Sequence, residues 1–420
     1  VGSLADANAN INILMLVYCN HAIFCGGSRC CCSRRLKQVV CDGQKRTKQK
    51  RQPMKLTIDR ISLLRPLGQV QSVVERRNTI PILANVVLQA DSGMLSMTAT
   101  DMDMDIATQV ECAVGTAGTT TVSAHLLYDI ARKLPEGAEV EINVADGHAM
   151  ISAGRSNFRL PTLPVEDFPA IATGDMPGGF TVTSADIRDM IDATRFAIST
   201  EETRYYLNGI YLHKSEASEL CAVATDGHRL AMTKQPLPAG ANDMPSIIVP
   251  RKAVSELRKL LDDFEGDVGV ALSDTRAEFS FGTVRLKTKL IDGTFPDYTR
   301  VIPRGNDRIM QVDAASFSAA VDRVSTISSE KSRSVKLRLQ PGSLNLSASS
   351  TDASSAVEEI EVSYTGAEME IGFNARYLMD IASQVGSDTI EFALADQGSP
   401  SLVRAPGDEA TLFVLMPMRV

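Results

Sequence analysis

Residues 54–420 predict an α+β fold built from three copies of one unit, each an antiparallel sheet carrying two helices. Two observations carry this expectation. Thr-Asp pairs at Thr100-Asp101, Thr225-Asp226 and Thr351-Asp352 each close a partly apolar strand (Leu95 to Ala99, Leu220 to Ala224, Leu344 to Ala348), at intervals of 125 and 126 residues. Around every pair the same order recurs: an amphipathic helical stretch before it, then a strand, a second helix and further strands. A repeat of fixed period settles the architecture before any side-chain chemistry is weighed.

The first helix of each copy is expected over Asp59 to Glu75, Ser184 to Ser199 and Asp313 to Ser328. Ile61, Leu64, Leu67, Val70 and Val74 form one apolar face. Ile187, Met190, Ile191 and Ile198 form the second, and Phe317, Val321, Val324 and Ile327 the third. Asp59, Ser184 and Asp313 stand where a side-chain oxygen accepts the first free amides of a helix. The second helices fall within Val122 to Leu134, Ile247 to Leu261 and Ile371 to Val385, with Ser123 and Asn374 as caps. Strands outnumber helices about four to one, so two helices cover one face of each sheet and the other face meets solvent. Such units can be laid end to end with all their helices on one surface.

A chain of 420 residues with 44% apolar and 22% charged composition is globular, which excludes disorder, collagen and coiled coil for the whole. The net charge of −8 is uneven: residues 1–53 hold nine bases and two acids, the rest 34 bases and 49 acids. Six of the eight cysteines fall in the first 41 residues, leaving only Cys112 and Cys221 in the body, a usage that points to the cytoplasm. The apolar stretch Ile11 to Cys25 is broken by Asn20 and His21, and the Cys30-Cys31-Cys32 run lacks zinc-site spacing. Residues 1–53 are expected to be an extension upstream of the folded body, disordered or outside the true start.

The non-core helix positions are rich in bases: Arg65, Arg132, Lys133, Arg188, Arg195, Arg251, Lys252, Arg258, Lys259, Arg323 and Arg376. Arg76, Arg77, Arg204, Lys331 and Arg333 add to them in the following loops. A threefold recurrence of bases on an acidic body points to a lining that meets backbone phosphates, salt-sensitive and blind to sequence; the plainer reading is a solvated helix face. No helix-turn-helix, zinc-finger or RNA-recognition pattern is present.

The most enzyme-like segment is Thr225-Asp226-Gly227-His228-Arg229-Leu230, where a carboxylate and an imidazole lie close together. It lacks a nucleophile elbow or a metal-binding pair of histidines, and the other copies keep the Asp but not the His. A turn that recurs with varied chemistry is structural. Binding fits better: the chain closes on an apolar strand running into Met416-Pro417-Met418, and Phe295-Pro296-Asp297-Tyr298 forms a proline-aromatic loop of the kind that borders peptide pockets.

Several motifs carry a resemblance: Pro81-Ile82-Leu83, Leu134-Pro135-Glu136-Gly137, Arg204-Tyr205-Tyr206-Leu207-Asn208-Gly209, Thr225 to Leu230, Val249-Pro250-Arg251-Lys252, Phe295-Pro296-Asp297-Tyr298, Glu368 to Asn374 and Met416-Pro417-Met418-Arg419. From Met54 to Val420, about seven-eighths of its length, the chain resembles the bacterial sliding clamps, the beta subunits of DNA polymerase III. The resemblance implies a DNA-clamp fold with domains at 54–173, 174–302 and 303–420, helices inside and antiparallel sheets outside. It further implies that two copies, head to tail, close a ring around duplex DNA at the nucleoid. It implies no catalysis and no cofactor. Its partners are the replicative polymerase, the clamp loader, and translesion polymerases and repair proteins that share one groove.

Residue by residue, the resemblance places Leu207, Thr225, Gly227, His228, Arg229, Leu230, Pro296, Arg300, Val301, Val414, Met416, Pro417 and Met418 in that groove, with Asn374, Tyr377 and Arg419 at its edge. Family partners insert a short motif with a leading Gln and a trailing Leu-Phe type pair. For DNA the matching positions are Arg77, Tyr205, Tyr206 and Lys252. His125 stands where some members carry Arg, and Glu201 where some carry Gln; both departures weaken the local positive field. At the ring interface Phe158 and Leu160 are expected to meet Ile327, flanked by Arg155 and Arg159 opposite Glu358, Glu359 and Glu361. Two readings from other classes stand beside this one: a hydrolase centred on Asp226 and His228, and a protein-interaction scaffold that does not bind DNA.

Overall fold

Each copy opens with a strand that delivers a capping residue to a helix. The first copy runs β1 (Met54–Asp59), α1 (Arg60–Gln71), β2 (Asn85–Asp91), β3 (Met94–Thr100), β4 (Met104–Glu111), β5 (Ala113–Thr116), β6 (Gly118–Ser123), α2 (Ala124–Lys133), β7 (Glu139–Ala145), β8 (His148–Ala153) and β9 (Ser156–Pro161). The second runs β10 (Gly178–Thr183), α3 (Ser184–Thr194), β11 (Gly209–Lys214), β12 (Glu219–Thr225), β13 (Arg229–Pro236), β14 (Ile247–Pro250), α4 (Arg251–Leu260), β15 (Asp267–Leu272), β16 (Arg276–Phe281) and β17 (Val284–Lys289). The third runs β18 (Arg308–Asp313), α5 (Ala314–Ser325), β19 (Ser334–Gln340), β20 (Ser343–Ser349), β21 (Ser355–Glu361), β22 (Ser363–Tyr364), β23 (Met369–Asn374), α6 (Ala375–Ala382), β24 (Thr389–Leu394), β25 (Ser401–Arg404) and β26 (Thr411–Leu415). This computed structural model describes residues 53–169, 176, 178–328, 333–350 and 353–419. The readings made for residues 1–52, Lys331, the Thr351-Asp352 pair and Val420 lie outside the described residues.

Local chemistry accounts for these elements. Asp59 accepts from the amides of Ile61 and Ser62, Asp313 from Ser316 and Asn374 from Arg376, which satisfies donors that no helical carbonyl can reach. The cap of α3 is Thr183, whose hydroxyl takes the amide of Asp186 at 3.1 Å. Ser184, expected there, is the first helical residue and is buried, its hydroxyl accepting from the Gly266 amide. Ser123 occupies the cap position of α2 without a side-chain capping bond. Ile61, expected in the core, is 60% exposed, because the buried face of α1 runs through Leu63, Leu67 and Val70, more than half a turn away.

The Thr-Asp turns share one network. Thr100 Oγ1 donates to the Met104 carbonyl and accepts from the Met102 amide, while Asp101 Oδ1 accepts from the Asp103 and Met104 amides. Thr225 and Asp226 repeat every one of these bonds with Arg229, Gly227 and His228. The third residue has positive φ in all three copies: Met102 at 81°, Gly227 at 88° and Ala353 at 62°. The turn is therefore structural, as its recurrence predicts.

Sheet organisation departs from three self-contained units. The described strands form sheets ordered β5-β1-β7-β8-β9, β10-β15-β16-β17-β4-β3-β2-β6, β14-β11-β12-β13-β26-β25-β24-β18-β22 and β21-β20-β19-β23. At both boundaries within the chain, the last strand of one copy pairs antiparallel with the strand after the Thr-Asp turn of the preceding copy: β17 with β4, β26 with β13. Backbone hydrogen bonds thus weld the copies together, which hides one edge of each of these four strands. The corresponding strands left over in the first and third copies, β9 and β21, each have one neighbour and one open edge.

Most strands alternate, burying one face against the helices, as β1 and β20 do. β12 and β13 break the pattern and are buried on both faces. On the far side of that sheet lies a second apolar cluster of Leu207, Val223, Leu230, Met232, Ile248, Phe295, Tyr298 and Val414, covered by the loop after β17. This second cluster underlies the candidate site.

Candidate functional site

Register places the floor of the site. Leu230 on β13 pairs with Val414 on β26, so the two apolar side chains share the outer face where the second and third copies meet. Around them a groove of about 240 Å³ is lined by Arg204, Tyr206, Leu207, Thr225, Gly227, Arg229, Pro296, Asp297, Tyr298, Val301 and Met416 as well. Nine of the expected groove residues line it: Leu207, Thr225, Gly227, Arg229, Leu230, Pro296, Val301, Val414 and Met416.

The other expected residues lie around it. His228 lies beside the groove, its ring 6.4 Å from that of Tyr377 and nearly parallel to it. Arg300 pairs with Asp297 at 2.7 Å, and Asn374 is committed to capping α6. Pro417, Met418 and Arg419 line a second hollow with Lys336 and Glu370, where the Met418 amide bonds the Gly372 carbonyl. The residue-by-residue set left out Arg204, Asp297 and Tyr298, although the loop Phe295 to Tyr298 was expected to border a pocket; Tyr206, expected at DNA, also lines the groove. Their signal was present in the Arg-Tyr-Tyr and Phe-Pro-Asp-Tyr motifs, but which side chains face the groove depends on how the loops cross the sheet. The turn accepts Met102 and Ala353 at the positions equivalent to Gly227, but at Gly227 a Cβ would sit 2.5 Å from Arg204 Nη1, so the Arg204 side chain would have to move.

Arg229, 8% exposed, ties the groove to the rest of the molecule. Its guanidinium donates to Asp226 Oδ2 at 3.1 Å, to Asp380 Oδ2 at 2.5 Å and to the Phe196 carbonyl at 2.6 Å. It also lies 4.3 Å from the centre of the Tyr377 ring and 5.1 Å from that of Phe196. Asp226 is thereby spent on Arg229 and on two backbone amides, which leaves the Asp226 and His228 pair no hydrolytic arrangement. Burial, with Asp226 as a neighbouring negative charge, pushes the Tyr377 hydroxyl above its ordinary value.

At the matching boundary between the first and second copies the hollow is lined by polar residues such as Gln109, Glu278 and Arg285, and register explains the difference. Where Leu230 meets Val414, the equivalent cross-strand partners are Asp105 and Lys287. Lys289 also bonds Asp103 at 3.0 Å across that boundary. A polar floor replaces an apolar one, so apolar anchors have nothing to fill.

Most of the helix bases are engaged within the chain. Arg188 donates to the Leu261 carbonyl, Arg258 pairs with Asp192 at 2.8 Å, Lys259 with Glu256 and Arg323 with Glu358. Lys252 reaches across to the first copy, 2.5 Å from Asp101 and 3.2 Å from Glu75. Burial opposes its charge, but the hydrogen bonds and charges of Asp101 and then Glu75 hold the Lys252 ammonium above its usual pKa. His125 is held by Gln71 Oε1 at 2.8 Å and the Val74 carbonyl at 3.0 Å, and Glu201 by Arg204. Of the residues expected at DNA, Arg77 and the 53% exposed Tyr205 stand free of such ties; Tyr206 is half-buried in the groove. Among the described residues, exposed Arg65, Arg76, Lys133 and Arg251 also make no ion pair.

At the open edges, Phe158 is half-buried and Arg155 and Arg159 are exposed, whereas Leu160 is already buried within its own copy. Glu358 is held below the usual carboxylate range by hydrogen bonds from Arg323, and Glu359 accepts from Ser343. Val357, absent from the sequence-based set, is 72% exposed on β21.

Three similar units joined through shared sheets, with an apolar groove between the second and third, define a clamp-type binding protein. Comparison with known proteins gives its kind. Residues 54–172, 181–297 and 299–419 match the family models for the N-terminal, central and C-terminal domains of the DNA polymerase III beta subunit. The beta sliding clamp of Caulobacter vibrioides is 50% identical over 372 residues, covering 87% of this chain and all of that one; that of Escherichia coli K12 is 37% identical over 370 residues with the same coverage. The Bartonella birtlesii clamp, solved bound to griselimycin, superposes with a TM-score of 0.86 at 47% identity, covering 88% of this chain and all of that one. The chain belongs to the DNA polymerase III beta subunit family, the beta sliding clamps. It is a processivity subunit of DNA replication and not itself an enzyme.

Proposed function

We propose that two copies of this chain close head to tail into a ring that encircles duplex DNA at the nucleoid, and that the groove between the second and third copies tethers the replicative polymerase and its competitors. The open edges of β9 and β21 carry the ring. Phe158 follows its hairpin turn as Leu286 follows the equivalent one, since Ala153 pairs with Ser156 and Phe281 with Val284. Leu286 pairs with Ile106, six residues after Thr100, and Val357 lies six residues after Thr351. Phe158 of one copy therefore faces Val357 of the other, in a register that also sets Arg159 opposite Ala356, Asn157 opposite Glu358 and Arg155 beside Glu359 and Glu361. Ile106 is fully buried in its junction and Val357 lies bare, as a surface awaiting its partner does.

Retention on DNA tests the ring. Residues 54–420, loaded on a nicked circle by a cognate loader with ATP, are expected to stay at a salt concentration that screens phosphate contacts and to leave once the circle is cut. Protein that remains on the linear product would overturn the reading, as would failure to hold circles.

The groove is proposed to take a short peptide with a leading Gln and a trailing Leu-Phe pair, the apolar pair seated on Leu230 and Val414. Griselimycin, bound by the Bartonella clamp, is expected to compete for it. Met416→Asp places a carboxylate at the groove wall and is expected to weaken the peptide at least about thirtyfold, the cost of desolvating a charge beside apolar anchors. Fluorescence anisotropy with a labelled peptide reads the change; undiminished binding would place the site elsewhere.

A further inference from the structure

We propose that His213 is a positioning residue for this groove, holding the wall formed by Tyr298 through one hydrogen bond between a β-strand and the covering loop. The proposal rests on the groove reading above.

The covering loop is attached to the sheet by little backbone pairing. The Ile291 amide donates to the Ile248 carbonyl where the loop begins, and the Val301 amide turns back on the Tyr298 carbonyl within it. Side chains do the rest. Phe295 stacks on Tyr211 with ring centres 4.7 Å apart and planes 3° from parallel. Two residues further along β11, and so on the same face, His213 stacks on Tyr211 at 4.7 Å. His213 Nε2 then lies 2.9 Å from the Tyr298 hydroxyl. The four rings form a chain, Phe295 to Tyr211 to His213 to Tyr298, that fastens both buried residues of the loop to one strand.

The protons agree with one arrangement. Nδ1 lies 3.0 Å from the Lys214 carbonyl, which can only accept, so Nδ1 carries a hydrogen. In the neutral ring Nε2 is then the acceptor, and the phenol donates to it. Burial pushes the Tyr298 hydroxyl well above its ordinary value, so it keeps that hydrogen. No other partner for the hydroxyl is present among the described residues. Tyr298 also lines the groove beside Pro296 and Val301, so a shift of its ring changes the shape that a peptide meets. A histidine that merely filled space would serve equally well as leucine; a hydrogen-bonded brace would not.

The experiment measures the dissociation constant of the labelled peptide for His213→Leu, His213→Gln, Tyr298→Phe and the Leu-Phe double variant, each first checked for dimerisation and unfolding midpoint. His213→Leu and Tyr298→Phe are each expected to weaken binding about fivefold, the worth of one net hydrogen bond. The double variant is expected to be no weaker than either single one, because the two substitutions remove the same bond. Gln, whose side-chain oxygen reaches the place of Nε2, is expected to recover most of the loss. Should His213→Leu fail to fold, Tyr298→Phe and His213→Gln carry the comparison alone. Parental affinity in His213→Leu or Tyr298→Phe would overturn the proposal, as would losses that multiply in the double variant. Met416→Asp separates the two readings: if it binds normally, the groove assignment fails, whereas if it alone loses the peptide, only the role of His213 does.

Discussion

Arg229→Leu is expected to lower the stability of the fold by about 3 kcal/mol or more, seen as a large drop in the midpoint of thermal or urea unfolding. The substitution keeps the apolar stem and removes the charge. Asp226 and Asp380 then share a half-buried space without their cation, and the Phe196 carbonyl loses its donor. Removing one member of such a set costs more than removing all of it, since the remaining charges stay desolvated. Arg229→Lys is expected to fall between, because one ammonium cannot serve two carboxylates, a carbonyl and two ring faces together. Asp380→Asn is expected to cost less, as Arg229 keeps Asp226. A leucine variant within about 1 kcal/mol of the parent would show that this junction is held by β13 and β26 alone.

Val357→Asp is expected to break the ring while leaving each copy folded. On the exposed edge of one chain the aspartate is solvated, but across the proposed junction it faces Phe158 of a second chain and sits among Glu358 and Glu359. Burying that carboxylate against an aromatic ring costs about 3 kcal/mol, so the dimer dissociation constant is expected to rise by about two orders of magnitude or more. Sedimentation at nanomolar to micromolar concentration reads it directly, with Val357→Ile as the apolar control. An aspartate variant that remains dimeric at nanomolar concentration would sink the proposed register. Loss of retention on circular DNA is expected to accompany dissociation, because an open ring has no topological hold.

The threefold repeat and its helices were legible because they depend on short-range rules: caps, apolar periodicity and a turn whose Thr and Asp bond their own backbone. The groove was legible in part, through motifs that mark Leu207, Leu230, Val414 and Met416. What the motifs did not give were placements set by loops crossing a sheet: Arg204 and Tyr206 among the residues that line the groove, and the Tyr298 ring beside Pro296. The basic helix positions show the same limit from the charge side. Lys252 and Arg258 read as free cations in one dimension, yet they are paired with Asp101, Glu75 and Asp192, residues 66 to 177 positions away.

By itself, the sequence determined that this protein is three copies of one α+β unit with structural Thr-Asp turns, since those signals lie within a few residues of each other. Only the tertiary structure decided how the copies join. Two sheets run across copy boundaries through β4 with β17 and β13 with β26, pairings between strands far apart in the chain. That register set Leu230 against Val414 at one boundary and Asp105 against Lys287 at the other, so the apolar floor lies at the second boundary and a polar one at the first. Backbone pairing is indifferent to side-chain identity, and which residues meet across it depends on a register that no local pattern records.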